Sequence, residues 1–174
     1  MKSVTVVIVL MALLHAGGII LPDHFKASFT QKITNPEKRS IHYSGKVAFS
    51  APSRLKWNYR KPTRKEVCTD SETLTVVDHD LEQVSSYLIS QGFNLNEIIK
   101  QAKRHSDRIY IAHYQGKSYT IQIDKKARLQ SVAYYDELDN KVQIVFKDMQ
   151  YGKGALKKKE MVCHVPGDYD RIRG

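Results

Sequence analysis

Alternation with a period of two dominates this chain. From Gly45 onward, Val47 and Phe49 alternate with Lys46, Ala48 and Ser50. Residues 54–60 give the cleanest strand pattern, with Leu55, Trp57 and Tyr59 on one face and Arg54, Lys56, Asn58 and Arg60 on the other. Lys65–Thr69 and 73–77 continue as strands, and the second points Leu74 and Val76 the same way. The second half reads as a meander of strands at Ile109–Tyr114, 118–124, Leu129–Tyr135 and 141–148. Within it Tyr119, Ile121 and Ile123 alternate, as do Val142, Ile144 and Phe146. A basic loop at 152–159 precedes a last expected strand at 161–165.

Three short stripes break the rhythm. Phe25, Phe29 and Ile33 at i, i+4 and i+8 predict a helix stopped by Asn35-Pro36. Leu81, Val84 and Leu88 predict a second, with Asp80 as its cap and Gln83 in the capping-box position. Asn94 and Glu97 repeat that signature ahead of Leu95, Ile98, Ile99 and Ala102. Eight or nine short strands with one apolar face demand a cover on that face, and a sheet so wide curls. The expected fold is therefore mainly β with a few helices: an unclosed antiparallel β-barrel, a strongly curved sheet, with about three short α-helices as a lid over its concave apolar face. Phe49, Leu55, Trp57, Tyr59, Ile121, Ile144 and Phe146 then read either as ordinary core or as the wall of an apolar cavity. Periodicity does not separate the two.

Composition bears on where the protein works. Only 41% of the 174 residues are apolar, and many of these lie in the first fourteen, so a thick two-sided core is not expected. Lys2, the apolar run 4–14 and His15-Ala16-Gly17-Gly18 have the shape of a secretory signal, cut at 16–18. The run is short of the roughly 18–20 residues that span a bilayer, although an uncleaved anchor is the alternative. Residues 1–18 are thus expected to be a signal peptide and 19–174 one exported domain. No cysteine adjoins the cut, so thioether lipidation of the new N-terminus is not expected. Two small buried thiols are the simpler expectation for Cys68 and Cys163; a disulfide, which an oxidising compartment would permit, is the alternative.

Catalytic signatures do not emerge. The chain has no G-x-S-x-G, P-loop, G-x-G-x-x-G or H-E-x-x-H. Asp78-His79-Asp80 has metal-ligand residue types, but Asp80 already has a capping role. Cys163 and His164 are adjacent on an expected strand and so point to opposite faces. No enzyme, metal or cofactor is expected. With 28 Lys+Arg against 18 Asp+Glu the formal charge is +10, densest at Lys153, Lys157, Lys158 and Lys159. That charge fits anionic headgroups or an acidic partner better than nucleic acid, because the aromatics sit on the apolar face instead of among the charges.

A family resemblance runs over nearly the whole exported part. Phe25-Lys26-Ala27-Ser28-Phe29-Thr30-Gln31, Gly45-x-Val47-x-Phe49-x-x-Pro52 and Leu55-x-Trp57-x-Tyr59-x-x-Pro62 resemble the outer-membrane lipoprotein carrier family, LolA. So do Thr69-Asp70, Leu74, Asp80-Leu81-x-Gln83-Val84 and Val165-Pro166-Gly167-x-x-Asp170. The resemblance implies a periplasmic chaperone, expected as a monomer. It would take acylated lipoproteins from an inner-membrane ABC transporter, hold their acyl chains, and deliver them to an outer-membrane acceptor or the membrane surface. It assigns Val47, Phe49, Leu55, Trp57, Tyr59, Leu74, Val76, Tyr119, Ile121, Ile144 and Phe146 to the acyl-chain cavity. The lid would be built from Phe25, Phe29, Ile33, Leu81, Val84, Leu88, Leu95, Ile98 and Ile99. Family members often carry Arg before the strand-ending proline as a lid latch; here that position is Ala51, leaving Arg54 as the nearest substitute. Two other readings stand beside this one: a periplasmic sensing protein of the same fold, which binds lipid or protein without shuttling it, and a secreted basic nucleic-acid binder.

Overall fold

The computed structural model describes residues 18–70, 72–88 and 94–173; the expected signal peptide lies almost wholly outside them. Twelve strands form one sheet: β1 (His24–Thr34), β2 (Ser40–Ser50), β3 (Arg54–Lys61), β4 (Lys65–Thr69), β5 (Thr73–Asp78), β6 (Gln83–Leu88), β7 (Lys103–Ser106), β8 (Ile109–Tyr114), β9 (Lys117–Ile123), β10 (Leu129–Tyr135), β11 (Lys141–Gly152) and β12 (Asp170–Arg173). Helix α1 (Leu95–Lys100) lies between β6 and β7, and α2 (Lys158–Met161) between β11 and β12. The spatial order is β12-β6-β5-β4-β3-β2-β1-β11-β10-β9-β8-β7, an open sheet with two edges. All pairs are antiparallel except β12, which runs parallel to β6.

The curl is visible in the rings. Trp57 on β3 and Phe146 on β11 stand three strands apart in the sheet, which in a flat sheet is about 14 Å. Their ring centroids are 6.2 Å apart. The sheet is therefore a bowl, and its inner face gathers the alternating apolar residues into one core: Phe25, Ala27 and Phe29 of β1, Val47 and Phe49 of β2, Leu55 of β3, and Tyr110, Tyr119, Ile121, Val132, Val142, Ile144 and Phe146 from the second meander. Leu95, Ile98 and Ile99 of α1 pack into that core. The cap read for α1 is present: the Asn94 side chain accepts the Glu97 N–H at 3.2 Å.

The first two helical stripes are strands. Phe25, Phe29 and Ile33 belong to β1, the strand that pairs with β2 on one side and β11 on the other. A spacing of four fits a period of two as well as one of 3.6, and Ala27, buried between the two phenylalanines, completes the alternation. Leu81, Val84 and Leu88 belong to the β5–β6 hairpin. There Asp78, not Asp80, closes the turn by accepting the N–H groups of Asp80 and Leu81, while Asp80 accepts from Arg64. Leu81 and Leu88 are exposed, and only Val84 is buried. Residues 161–165 are not a strand either. The last strand is β12, whose four residues carry no apolar alternation that would announce it.

The chain after β11 crosses the outer face of β3, β4 and β5. Cys163 is bonded to Cys68 with their Cα atoms 5.7 Å apart, so the pairing, not two free thiols, holds. Lys56 Nζ donates to the Val162 carbonyl at 2.8 Å, and the His164 N–H donates to Glu66 at 2.9 Å. Lys56 and Glu66 are themselves paired at 3.1 Å. Val77 and Val84 are buried on this outer face, and so is Met161, at the end of α2 within the strap itself.

Gly45 marks a close approach at the centre of the bowl. A Cβ there would lie 2.0 Å from the Asn58 carbonyl oxygen, and the Phe29 ring covers the same spot. Gly45→Ala is expected to destabilise by about 1–3 kcal/mol, because the nearest atom is backbone and cannot rotate away. Urea denaturation would test this, and an unchanged midpoint would refute it.

Candidate functional site

The inner face is not uniform. Its central and β8–β11 parts are packed, with α1 set against β8, whereas the β3–β6 arm carries apolar side chains that stay half-buried. Trp57, Val67 and Val76 form one cross-strand row there, and Leu55, Thr69, Leu74 and Tyr87 the next. Leu55 is fully buried and Tyr87 is exposed, so the core thins outward into an apolar shelf. Trp57 stands at the boundary, edge-on to Phe29 at 4.9 Å and beside Tyr59 at 6.4 Å.

All eleven residues read as cavity wall share this inner face. Val47, Phe49, Leu55, Tyr119, Ile121, Ile144 and Phe146 are packed core, while Trp57, Tyr59, Leu74 and Val76 line the half-open arm. Of the residues read as lid, Leu95, Ile98 and Ile99 do lie over the core on α1. Phe25, Phe29 and Ile33 are floor; Leu81 and Leu88 are exposed on the hairpin; Val84 faces outward beneath the strap. Arg54 is on the outer face, away from α1. It adds its charge to the Glu72 and Thr73 N–H groups that hold the Asp70 carboxyl below the usual range. Sequence reading missed Val67 and Tyr87; alternation through Lys65–Thr69 carries the signal for Val67, and the helical reading of 81–88 hid Tyr87.

A group of phenols and one carboxamide meets at one end of the inner face. The Tyr59 phenol donates to Gln31 Oε1 at 3.0 Å, and Tyr43 meets Tyr59 edge-on at 5.7 Å. From the other arm, Tyr134 packs with Tyr119 at 5.3 Å. Burial pushes the Tyr134 phenol up to about 12, helped by Tyr119 and Asp136. Burial also drives Tyr59 upward, helped by Tyr134 and Tyr43. Both phenols stay protonated at any physiological pH. Among the described residues, the His, Cys and carboxylate groups that converge closely enough for a metal are Glu66 with the Cys68–Cys163 pair, whose sulfurs are already bonded to each other.

The structure thus presents an open, curled sheet with an apolar inner face, a helix against it and a half-buried aromatic arm beside the packed core. The chain belongs to the family of the outer membrane lipoprotein carrier protein LolA, whose pattern matches residues 23–159. An outer-membrane lipoprotein carrier protein of Wolinella succinogenes is 31% identical over 150 residues, 86% of each chain. Another, from Campylobacter jejuni, is 32% identical over 149 residues, again 86% of each. In fold, a crystal structure of an uncharacterized conserved protein from Thermus thermophilus aligns with a TM-score of 0.56 at 11% identity, covering 88% of this chain and 92% of its own.

Proposed function

We propose that this protein is a periplasmic carrier, not an enzyme, exported by residues 1–18 and working as the single domain 19–174. It receives acylated lipoproteins from an inner-membrane ABC transporter, shields their acyl chains against the inner face of the bowl, and yields them to an outer-membrane acceptor or the membrane surface. The observation that carries this reading is the partly buried apolar arm of Trp57, Tyr59, Val67, Leu74 and Val76, of which Trp57 and Tyr59 pack against the core. Each methylene buried there contributes about 0.8 kcal/mol, so part of one acyl chain suffices for useful affinity. The +10 charge suits encounter with anionic membrane surfaces.

Trp57 is the only tryptophan, and it lines that arm. Titration with a lipopeptide carrying brominated acyl chains is expected to quench its emission saturably, while the unacylated peptide leaves it unchanged. Absence of binding would remove the carrier reading in favour of a sensing protein of the same fold. A shuttle should also release lipoproteins from spheroplasts into the soluble fraction; a sensor should not.

A further inference from the structure

The inward row of β1 is Phe25, Ala27, Phe29, Gln31 and Ile33, and only Gln31 in it is polar. It lies on the central strand, aligned with Tyr43 of β2 and Ile144 of β11. A carboxamide on an apolar face is costly unless it is hydrogen-bonded. Tyr59 supplies half of what it needs, donating its phenol proton to Oε1. That bond fixes the amide: with the oxygen held by Tyr59, the Nε2 donors are turned away from that phenol. Tyr43, Tyr59, Tyr119 and Tyr134 stand toward this end of the bowl, while toward the other Phe25, Phe49 and Phe146 form a phenyl cluster, with Tyr151 beside Phe25 and Thr69 and Tyr87 further out on the arm.

An amphipathic ligand meets such a gradient in one orientation. Hydrocarbon goes toward the phenylalanines, and the polar group to which it is attached comes to rest among the phenols. Acyl chains are attached through carbonyls, which accept hydrogen bonds and lose solvent when the chains are buried. We infer that Gln31, oriented by Tyr59, is the polar seat of the bowl and donates from Nε2 to the ester carbonyl that joins an acyl chain to its cargo. This rests on the carrier reading and adds to it a preference for acyl over alkyl linkage. Tyr59 is a positioning residue; Gln31 makes the contact.

The test compares two probes that differ only in the carbonyl. One is a short peptide bearing a brominated diacyl pair in ester linkage, and the other is its dialkyl ether counterpart. Both are read by quenching of Trp57 in the wild-type protein and in a Gln31→Met/Tyr59→Phe double variant. The double variant removes both partners of the buried bond together, which leaves no orphaned polar group and is close to neutral for stability. Wild type is expected to bind the ester about five- to tenfold more tightly than the ether. In the variant the ester-to-ether ratio should fall to about one. Equal affinity of both probes for wild type would overturn the seat and leave the carrier reading standing. Loss of both probes in the variant would overturn it too, by making the pair merely structural. Failure of both probes to bind wild type would overturn the carrier reading and this inference with it.

Discussion

A Cys68→Ser/Cys163→Ser variant is expected to melt about 10–15 °C below the wild type. The bond joins residues 95 positions apart, and closing a loop of that length removes enough freedom from the unfolded chain to contribute about 4–5 kcal/mol. The native side of the balance points the same way. Without the bond the strap is held to the outer face by the Lys56–Val162 and His164–Glu66 hydrogen bonds and by the short parallel ladder of β12 on β6. Val77 and Val84, buried beneath it, would meet water whenever it lifts. Thermal unfolding of the two proteins, with and without a thiol reductant, measures the effect. The reductant should lower the wild type to the level of the variant and leave the variant unmoved. Identical melting of oxidised wild type and variant would mean that the cysteines do not pair.

Phe29→Ala is expected to cost about 3–5 kcal/mol, a large share of the stability of a domain this size. The ring is 2% exposed, lies over Gly45 and meets Trp57 and Tyr59 edge-on at 4.9 and 5.1 Å. Removing it leaves a void between the central strand and the aromatic arm that backbone pairing on both sides of β1 prevents from collapsing. The comparison is Leu88→Ala, which should change stability by less than about 0.5 kcal/mol because Leu88 is 87% exposed. Urea denaturation followed by Trp57 emission ranks the two, and equal effects would contradict the placement of Phe29 in the floor of the bowl.

Leu88 and Phe29 also show where sequence reading held and where it could not. Strands such as β3 and β9 are legible because one face is buried and the other solvated, so polarity alternates along them; β11 does the same around Val142, Ile144 and Phe146 except at the exposed Val145. Asn94 is legible because its side-chain bond is local. The Phe25–Phe29–Ile33 stripe is ambiguous by arithmetic: a step of four satisfies both periods, and the choice is made by β2 and β11, the second more than a hundred residues away. The Leu81–Val84–Leu88 stripe fails for the opposite reason, since two of its three members are simply exposed. β7 is invisible because Lys103, Arg104, His105 and Ser106 are all exposed and it is defined by pairing alone. For the site, alternation put the residues read as cavity wall on one face, but which of them are packed and which stay partly open is set by how the sheet curls. The disulfide needed the strap to turn back across the outer face, which neither cysteine announces.

The pairing of β1 with β11 carries one more consequence, for how the chain reaches this shape. Strands β1 to β6 are sequential neighbours, and so are β7 to β11, so each arm can assemble from local hairpins. The seam between the arms joins His24–Thr34 to Lys141–Gly152, the most distant contact in the sheet and also the longest antiparallel ladder outside the β1–β2 hairpin. Closure of such a loop is entropically late and slow. Until the final fifth of the chain is free to fold, β1 therefore has one unpaired edge and bears Phe25 and Phe29, the kind of edge that seeds misassociation. A carrier of greasy cargo thus spends its own infancy as something that needs shielding.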